Sequence, residues 1–598
     1  MTISSKYADQ FMDWLVEDGY THCFFVGGGN VMHLLEAASR RFKCIAVVHE
    51  VTAGIATDYF NETAKGRERA FALVTAGPGL TNIVTAIGGA WLESRELLVI
   101  GGQAKISDLS HSRVRQIGHQ EIDGVGICKN ITVNSILADR RLEKYEVLQI
   151  TQRTRRDRKG PAFIEMCIDV SAMPPLDTNS RAIPKSIKPS GINHADIEKL
   201  AELLTASQRP VVMLGGGVNR STSNDAVIRL QQLGVPLATT WNGFDRVPYD
   251  YKYYCGRPNT YGMRWANIVT QQSDLLITVG TRLGVQQVGF AVDKFEPIGK
   301  LIQVDIDANE LEKGFPKIDL AINSDANEFL IELVNLIQNT KCNWSEWQDF
   351  IVQTRSALEG PDKANVASED YLELHDFIWN LGSILDERDL ITSCSSGGSF
   401  NAMMQVFRNK KGQIALSSKG SASMGYGLAG AIGMASADKN RRTILVEGDG
   451  GFAQNLQDLG TVANNQLNIK IFLASNQGYA SIRTTQKSYF GGNYLGCDAN
   501  TGLGLPNWEK IFQAFDIPVV TLNRKNLDFE ELKSLIRNSG PQAYILDLDP
   551  EQLYFPKLTS KVLPSGKMES NPLHLMSPDL SESEKERFFK YLPAEYWS

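Results

Sequence analysis

Short apolar runs that stop on glycine or a polar residue punctuate the chain. CFFVGGG, CIAVVHE, FALVTAG, LLVIGGQ and FIEMCID fall within residues 1–175. Each is short and closed by a turn former, so each reads as a buried strand. Helix-like patterns fill the intervals, and that alternation predicts a parallel α/β sheet. The rhythm recurs twice. VVMLGGG, PLATTW, LLITVG and LIQVDID mark a second unit over 190–345; LITSC, ILVEGDG, IKIFLAS and AYILDLD mark a third over 371–550. The expected fold class is therefore α/β, with three doubly wound parallel-sheet domains. Residues 171–190 hold four prolines and little hydrophobicity, and read as a linker. Residues 340–370 are polar and mixed, and read as a second linker. The tail over 551–598, rich in Pro, Ser and charge, is expected to drape over a surface without forming a domain.

Length and composition narrow the function classes. A chain of 598 residues exceeds one core. Its 51 glycines point to tight turns and close backbone approaches. A formal charge of −7 supplies no global basic field, so nucleic acid is not the expected partner. Eight scattered cysteines without a CxxC pair favour a reducing compartment over a disulfide framework or zinc site. The N-terminal MTISSKYADQFMDWLVEDGY carries acids and no long apolar stretch, so neither a signal peptide nor a membrane span is expected there. A cytoplasmic protein with small-molecule substrates and no membrane partner is the expectation.

One stretch concentrates the chemistry: ILVEGDGGFAQNLQDLGTVANNQLNIKIFLASNQGYASI, Ile444 to Ile482. Asp449 follows one apolar run and Asn476 follows the next. The segment between them has the length of a helix that would return the chain and make the two strands neighbours. Ligands of open parallel sheets sit outside the carboxyl ends of the strands, so both side chains converge there. Carboxylate plus amide oxygen is a hard-oxygen set, suited to magnesium or calcium. Gly448, Gly450 and Gly451 let backbone amides approach an anion at a helix N-terminus. A Gly-Asp-Gly alone reads as a turn or an N-cap. Two clusters at this spacing describe a magnesium–diphosphate site.

The stretch resembles the signature of thiamine diphosphate enzymes: Gly-Asp-Gly, a helix-length spacer, then Asn-Asn. Ser475 replaces the first Asn, which is not a ligand in that family. The resemblance implies metal ligands at Asp449, Asn476 and the backbone of Gly478, with Tyr479 and Ala480 beside the cofactor. It also implies a catalytic carboxyl against the cofactor's pyrimidine, which supports deprotonation of the thiazolium C2. Glu50, closing CIAVVHE, stands at that place. TAGPGLTN, which contributes Gly79 and Asn82, and GGQAK match the same N-terminal domain. In SSKGSASMGYGLAG, Met424 would bend the cofactor from beneath and the Ala422 carbonyl would face its amino group. The literal GxGxxG at Gly425–Gly430 has no strand leading into it and reads as part of a small-residue helix. SSGGSF, with Ser396, Gly397, Ser399 and Phe400, would touch the diphosphate.

Over roughly residues 5–550 the chain is similar to the acetohydroxyacid synthase (acetolactate synthase) and pyruvate oxidase group. That resemblance implies pyrimidine-binding, central and diphosphate-binding domains, and a homodimer or homotetramer with sites between chains. IGHQEIDG resembles a Phe-Gln-Glu segment of that group: His119 replaces Phe, and Gln120, a candidate catalytic residue, is retained. Gly215, Gly216, Gly217, Arg282 and Asp305 fall at FAD-contacting positions. Several relatives leave that domain empty, so FAD stays open. Gln286 occupies the place of an Arg that holds an acceptor keto acid, and Thr485 the place of a Trp that shapes its pocket. With His119 and Arg483 they form an altered acceptor region. The expectation is a carboligase that decarboxylates a 2-keto acid, pyruvate in the first instance, and joins it to another acceptor carbonyl, such as a nucleotide-linked keto-sugar. The alternatives are acetolactate synthase proper and a C–C hydrolase or lyase acting on a cyclic diketone. A non-catalytic assembly protein is disfavoured by the intact Glu50, Asp449 and Asn476.

Overall fold

The computed structural model describes residues 5–177, 192–221, 224–340, 342–562, 564–566 and 568–597. Three parallel sheets carry the chain, one per α/β unit. The first contains β1 (Tyr20–Phe25), β2 (Lys43–Ala46), β3 (Arg69–Val74), β4 (Leu97–Gln103), β5 (Asn134–Ala138) and β6 (Pro161–Cys167), in the order β2-β1-β3-β4-β6-β5. The second contains β7 (Pro210–Leu214), β8 (Leu237–Thr239), β9 (Leu275–Val279), β10 (Lys300–Asp305) and β11 (Leu320–Asn323), in the order β11-β10-β9-β7-β8. The third contains β12 (Leu390–Ser393), β13 (Ile414–Leu416), β14 (Thr443–Gly448), β15 (Ile469–Ser475), β16 (Val519–Leu522) and β17 (Gln542–Asp547), in the order β13-β12-β14-β15-β17-β16. The first and third orders are the same when the strands are counted within each unit. β4, β6 and β7 are buried along their whole length, as expected where both faces of a parallel sheet are covered.

The first and third units share one hydrophobic core. Its seam is the helix Glu50–Ala64 against the helix Tyr426–Ala437. The second helix is buried on every side, so its small residues serve close approach rather than amphipathicity. A Cβ on Gly433 would stand 2.2 Å from the Ala56 carbonyl oxygen, and one on Gly430 would enter the Tyr59 ring. The GxGxxG is thus a packing device. Beside it, Arg95 is buried, pairs with Asp58 at 3.4 Å and donates to the Ser417 carbonyl, tying the units together.

Three expectations need correction. The linker over 340–370 contains the helix Ser345–Leu358, whose Trp347, Phe350 and Ile351 form a buried stripe on the middle unit. Trp347 Nε1 donates to the Pro210 carbonyl at 3.1 Å, so polarity averaged over the window concealed one apolar face. The spacer after Asp449 is not one helix but three short pieces, Asp449–Phe452, Leu456–Asp458 and Leu459–Asn464. Glu50 does not close a strand: β2 ends at Ala46, and Glu50 opens the next helix. The linker expected over 171–190 lies, from residue 178 on, outside the described residues up to 191. The tail forms two antiparallel ribbons, Lys557–Leu558 with Met576–Ser577 and Ser560–Val562 with Met568–Ser570, and the helix Glu582–Phe588. Leu573, Phe588 and Phe589 seat it on the middle unit. Among the described residues no helix is long and apolar enough to cross a membrane.

Candidate active site

The sheet order predicts where ligands sit. In an open parallel sheet the loops diverge at the point where the strand order reverses, and the crevice there is open. In the third sheet that point lies between β12 and β14. Ser396, after β12, starts the helix Gly397–Val406, and Gly448–Asp449, ending β14, starts the helix Asp449–Phe452. The two turns face each other: a Cβ on Gly448 would stand 3.3 Å from Ser399 Oγ. In the first sheet the equivalent crevice is closed, because Gly28 after β1 lies against the Thr75 side chain after β3.

β14 and β15 are neighbours in parallel register, with Gly448 opposite Ala474, and this brings Asp449 and Asn476 together. Asp449 is buried. Its Oδ1 accepts from Gly450 N at 2.7 Å, and its Oδ2 from Asn476 N at 3.1 Å and Gly478 N at 3.3 Å. Burial outweighs these hydrogen bonds and pushes its carboxyl up to about 6. Asn476 is buried too. Its Nδ2 donates to the Tyr554 hydroxyl at 3.1 Å, and its Oδ1 has no partner among the described residues. A buried amide oxygen without a donor is costly unless something else takes it. Gly478 has φ +142, and a Cβ there would stand 2.1 Å from the Cys497 carbonyl oxygen, so no side chain fits. Its own carbonyl accepts from Ala480 N at 3.2 Å, which leaves one lone pair available. Carboxylate, amide oxygen and backbone carbonyl form a hard-oxygen set that fits magnesium. Tyr479 lays its ring on the Gly450 α-carbon, and Gly451 sits above the Glu447 carboxyl. Ala480 opens the helix Ala480–Tyr489.

The remaining expected residues divide into two groups. Glu50 Oε2 accepts from Asn82 Nδ2 at 2.9 Å, on a half-exposed surface. The turn before it is latched to the third unit: Asp458 accepts from Val48 N at 2.8 Å and from Thr52 Oγ1 at 2.7 Å. Gly79 lies in the first turn of the helix Pro78–Glu93, which carries Asn82. Met424 is half-buried, with Gln454 Nε2 at 3.8 Å from its Sδ, and Ala422 holds a left-handed φ of +52. Gln120 has φ +59 and lays its carbonyl against Gly77. His119 is exposed beside it, on a loop fixed by Glu121, which accepts from Ile117 N at 2.8 Å and Gly118 N at 3.1 Å.

A second crevice opens at the reversal point of the middle sheet, between β7 and β9, where a cavity of about 770 Å³ reaches all three units. Gly216, Gly217, Arg282, Asp305, Gln286 and Ala422 line it. Gly215 does not: its α-carbon is pressed on the Gly280 carbonyl, so it serves packing, not a ligand. One further expectation narrows and another fails. The Phe400 side chain is fully buried and meets Trp241 edge-on at 5.2 Å, leaving only its backbone for a cofactor. Arg483 is buried; it donates to the Pro550 and Gln477 carbonyls and pairs with Asp498, so its charge is committed within the protein. Thr485 stands exposed on its helix, donating to the Ser481 carbonyl at 2.9 Å.

Sequence reading missed three residues. Lys419 lines the cavity with its Nζ 5.0 Å from the Phe400 ring centre. A lysine within an otherwise small-residue segment was the signal. Glu447 lies fully buried in β14, accepts from Leu428 N at 3.0 Å, and is pushed up to about 8 by burial. Its place inside an apolar strand was the signal. Tyr554 lies in the tail, and nothing in its local pattern marked it.

Comparison with known proteins gives this geometry its class. Three family profiles match in chain order: the N-terminal TPP binding domain of thiamine pyrophosphate enzymes over residues 5–127, the central domain over 197–333, and the C-terminal TPP binding domain over 396–543. Together they span more than half of the chain, which belongs to the thiamine pyrophosphate enzyme family. It is a thiamine diphosphate-dependent enzyme, and its three parallel-sheet units correspond in order to the three matched domains, with β5, β6 and β12 lying beyond the matched residues. Within that family it is similar to acetolactate synthases. It is 27% identical to acetolactate synthase isozyme 1 large subunit of Escherichia coli over 92% of this chain and 95% of the relative. It is 28% identical to the acetolactate synthase large subunit of Porphyra purpurea, over 90% and 91%. Isozyme 2 of Escherichia coli is 26% identical, over 94% and 99%.

Proposed function

We propose that this enzyme is a carboligase that decarboxylates pyruvate or a related 2-keto acid and joins the remaining fragment to the carbonyl carbon of an acceptor, with a nucleotide-linked keto-sugar as the first candidate. In the balanced reaction the bond to CO₂ breaks, a carbon–carbon bond forms, and the acceptor oxygen takes a proton to become a hydroxyl. Bound thiamine diphosphate supplies the nucleophilic carbon and the electron sink. Asp449, Asn476 Oδ1 and the Gly478 carbonyl would hold a magnesium ion against its diphosphate, and Ser396–Ser399 with Gly448 would cradle the phosphates. Glu50 would share a proton with the pyrimidine, and Met424 would support the bent cofactor.

One observation carries the acceptor reading. The residues for cofactor activation are all present, while the place of a keto-acid-binding guanidinium holds Gln286, which lines the cavity. An uncharged amide cannot clamp a carboxylate bidentately, whereas a hydroxyl-rich acceptor suits it. The cavity volume is ordinary for a ligand pocket, which lies at about 300–1,000 Å³. Its Gly216, Gly217, Arg282 and Asp305 would take FAD if one binds. Acetolactate synthase proper is the second reading, favoured by near full-length similarity to such synthases.

A homodimer, alone or paired into a tetramer, is part of the proposal. Glu50 is half-exposed in one chain, and exposed apolar residues stand on the same unit (Val48, Ile117) and near the metal site (Phe490, Leu495). A second chain covering them would dry the site. Mass analysis of products from pyruvate alone, and from pyruvate with a nucleotide-linked 4-keto-sugar, tests the reading. The expected outcome is a branched sugar product and little acetolactate. Rapid acetolactate formation from pyruvate alone would replace the first reading with the second, and a fully active monomer in sedimentation would remove the dimer.

A further inference from the structure

The segment after β17 is built into the metal site, although its composition marks it as mere covering. Residues 549–556 are clamped to the third unit and to the segment just before it at several points. Asn365 Nδ2 donates to the Phe555 carbonyl at 2.8 Å, and Phe555 N donates back to Asn365 Oδ1 at 2.8 Å. Gln405 Nε2 donates to the Pro556 carbonyl at 2.6 Å. His375, fully buried, bridges Gln405 Oε1 and Glu373 Oε1 at 2.9 Å each, and Gln552 donates to the same Glu373 oxygen. This network holds Tyr554 between its fixed neighbours. The Tyr554 ring fills the space over Gly398, where a Cβ would stand 2.4 Å from the ring, and its hydroxyl meets Asn476 Nδ2 at 3.1 Å.

An asparagine amide can face a cation only with its oxygen. Its NH₂ then points away and, when buried, needs an acceptor. The Tyr554 hydroxyl is that acceptor. Asn476 Oδ1 is thereby left without a partner among the described residues. The geometry points to Tyr554 as a positioning residue for the magnesium ligand Asn476, and to the tail segment 549–556 as part of the cofactor site. This rests on the magnesium reading above.

Tyr554→Phe tests it, because the ring that fills the Gly398 space is kept and only the acceptor is lost. Calorimetry on the full-length protein with thiamine diphosphate present should show Mg²⁺ binding weakened roughly tenfold or more, the scale typical of lost outer-sphere partners. The unfolding midpoint without cofactor should stay near that of the wild type. Asn476→Asp supplies a second arm: a carboxylate presents an oxygen in either orientation, so adding Tyr554→Phe in that background should cost little further. Wild-type Mg²⁺ affinity retained in Tyr554→Phe, or an equal loss in the Asn476→Asp background, overturns the role of Tyr554 while leaving the metal site standing. Absence of Mg²⁺-dependent binding in the wild type overturns both. If Tyr554→Phe alone fails to fold, Tyr554→His with Asn476 kept, where a ring nitrogen can accept from Asn476 Nδ2, decides the same point: Mg²⁺ affinity close to that of the wild type supports the role of Tyr554 as acceptor, and a roughly tenfold loss overturns it.

Discussion

Asn476 shows how a residue's chemistry can be set by groups far away in sequence. Its oxygen is freed by a tail tyrosine 78 positions on, and its backbone amide is taken by Asp449, 27 positions back. The pair Asp449 and Asn476 was legible in sequence because strand ends and glycines advertise them. Tyr554 was not, since a single aromatic in a Pro- and Ser-rich tail has no periodicity to read. Arg483 misled for the opposite reason: a charge on a polar helix suggests a substrate, but this one is spent on backbone carbonyls. Buried acids make a separate prediction. Glu165 on β6 is buried with one oxygen unpartnered among the described residues, and burial raises its carboxyl to about 8. Its pKa in the unfolded chain is about 4.3, so the protonated form stabilises the fold below that pH, and the contribution is lost as pH rises towards 8. Glu165→Gln should therefore flatten the decline in stability between about pH 4 and 8 relative to the wild type, seen as a smaller shift in unfolding midpoint across that range. An unchanged pH dependence would show that Glu165 is ionised in the fold.

Among elements, the apolar runs marked interior strands well and edges poorly. Within the three parallel sheets the four strands not expected, β5, β11, β13 and β16, all lie at sheet edges. β5, β11 and β16 are largely half-exposed, and β13 is three residues long, so none produced a bounded run of buried residues. The helix Ser345–Leu358 was hidden similarly, with its three-residue stripe diluted by polar neighbours. By contrast, the small-residue helix Tyr426–Ala437 was recognised as a helix, but its partner could not be read, because the seam with Glu50–Ala64 joins two units. That seam is rigid backbone on backbone. Gly433→Ala would place a methyl 2.2 Å from the Ala56 carbonyl oxygen. Overpacking of this kind costs about 1–3 kcal/mol, offset only in part by the better helix propensity of alanine. The urea midpoint should fall, whereas Gly88→Ala, whose added Cβ would meet no described atom within 4 Å beyond its own helix backbone, should not lower it. Equal midpoints for the two variants would show that the seam yields.

At the scale of the whole molecule, one strand order is used twice for different ends. The third unit opens its reversal point and fills it with hard-oxygen donors, while the first closes its own with Gly28 against Thr75 and contributes Glu50 from a helix start. In the proposed site neither unit suffices alone. The shared core couples them, and the middle unit adds a cavity at its own reversal point. Every reading of the substrate requires that Glu50 activate the bound cofactor. The most direct measurement follows proton exchange at the thiazolium C2 of bound thiamine diphosphate by NMR, in the wild type and in Glu50→Gln. The variant keeps the shape and the hydrogen bond from Asn82 but cannot move a proton as a carboxyl does. Exchange should slow by about 10²–10⁴-fold, the usual weight of a general acid–base group, while cofactor affinity stays close to that of the wild type. Wild-type exchange in Glu50→Gln would contradict the account.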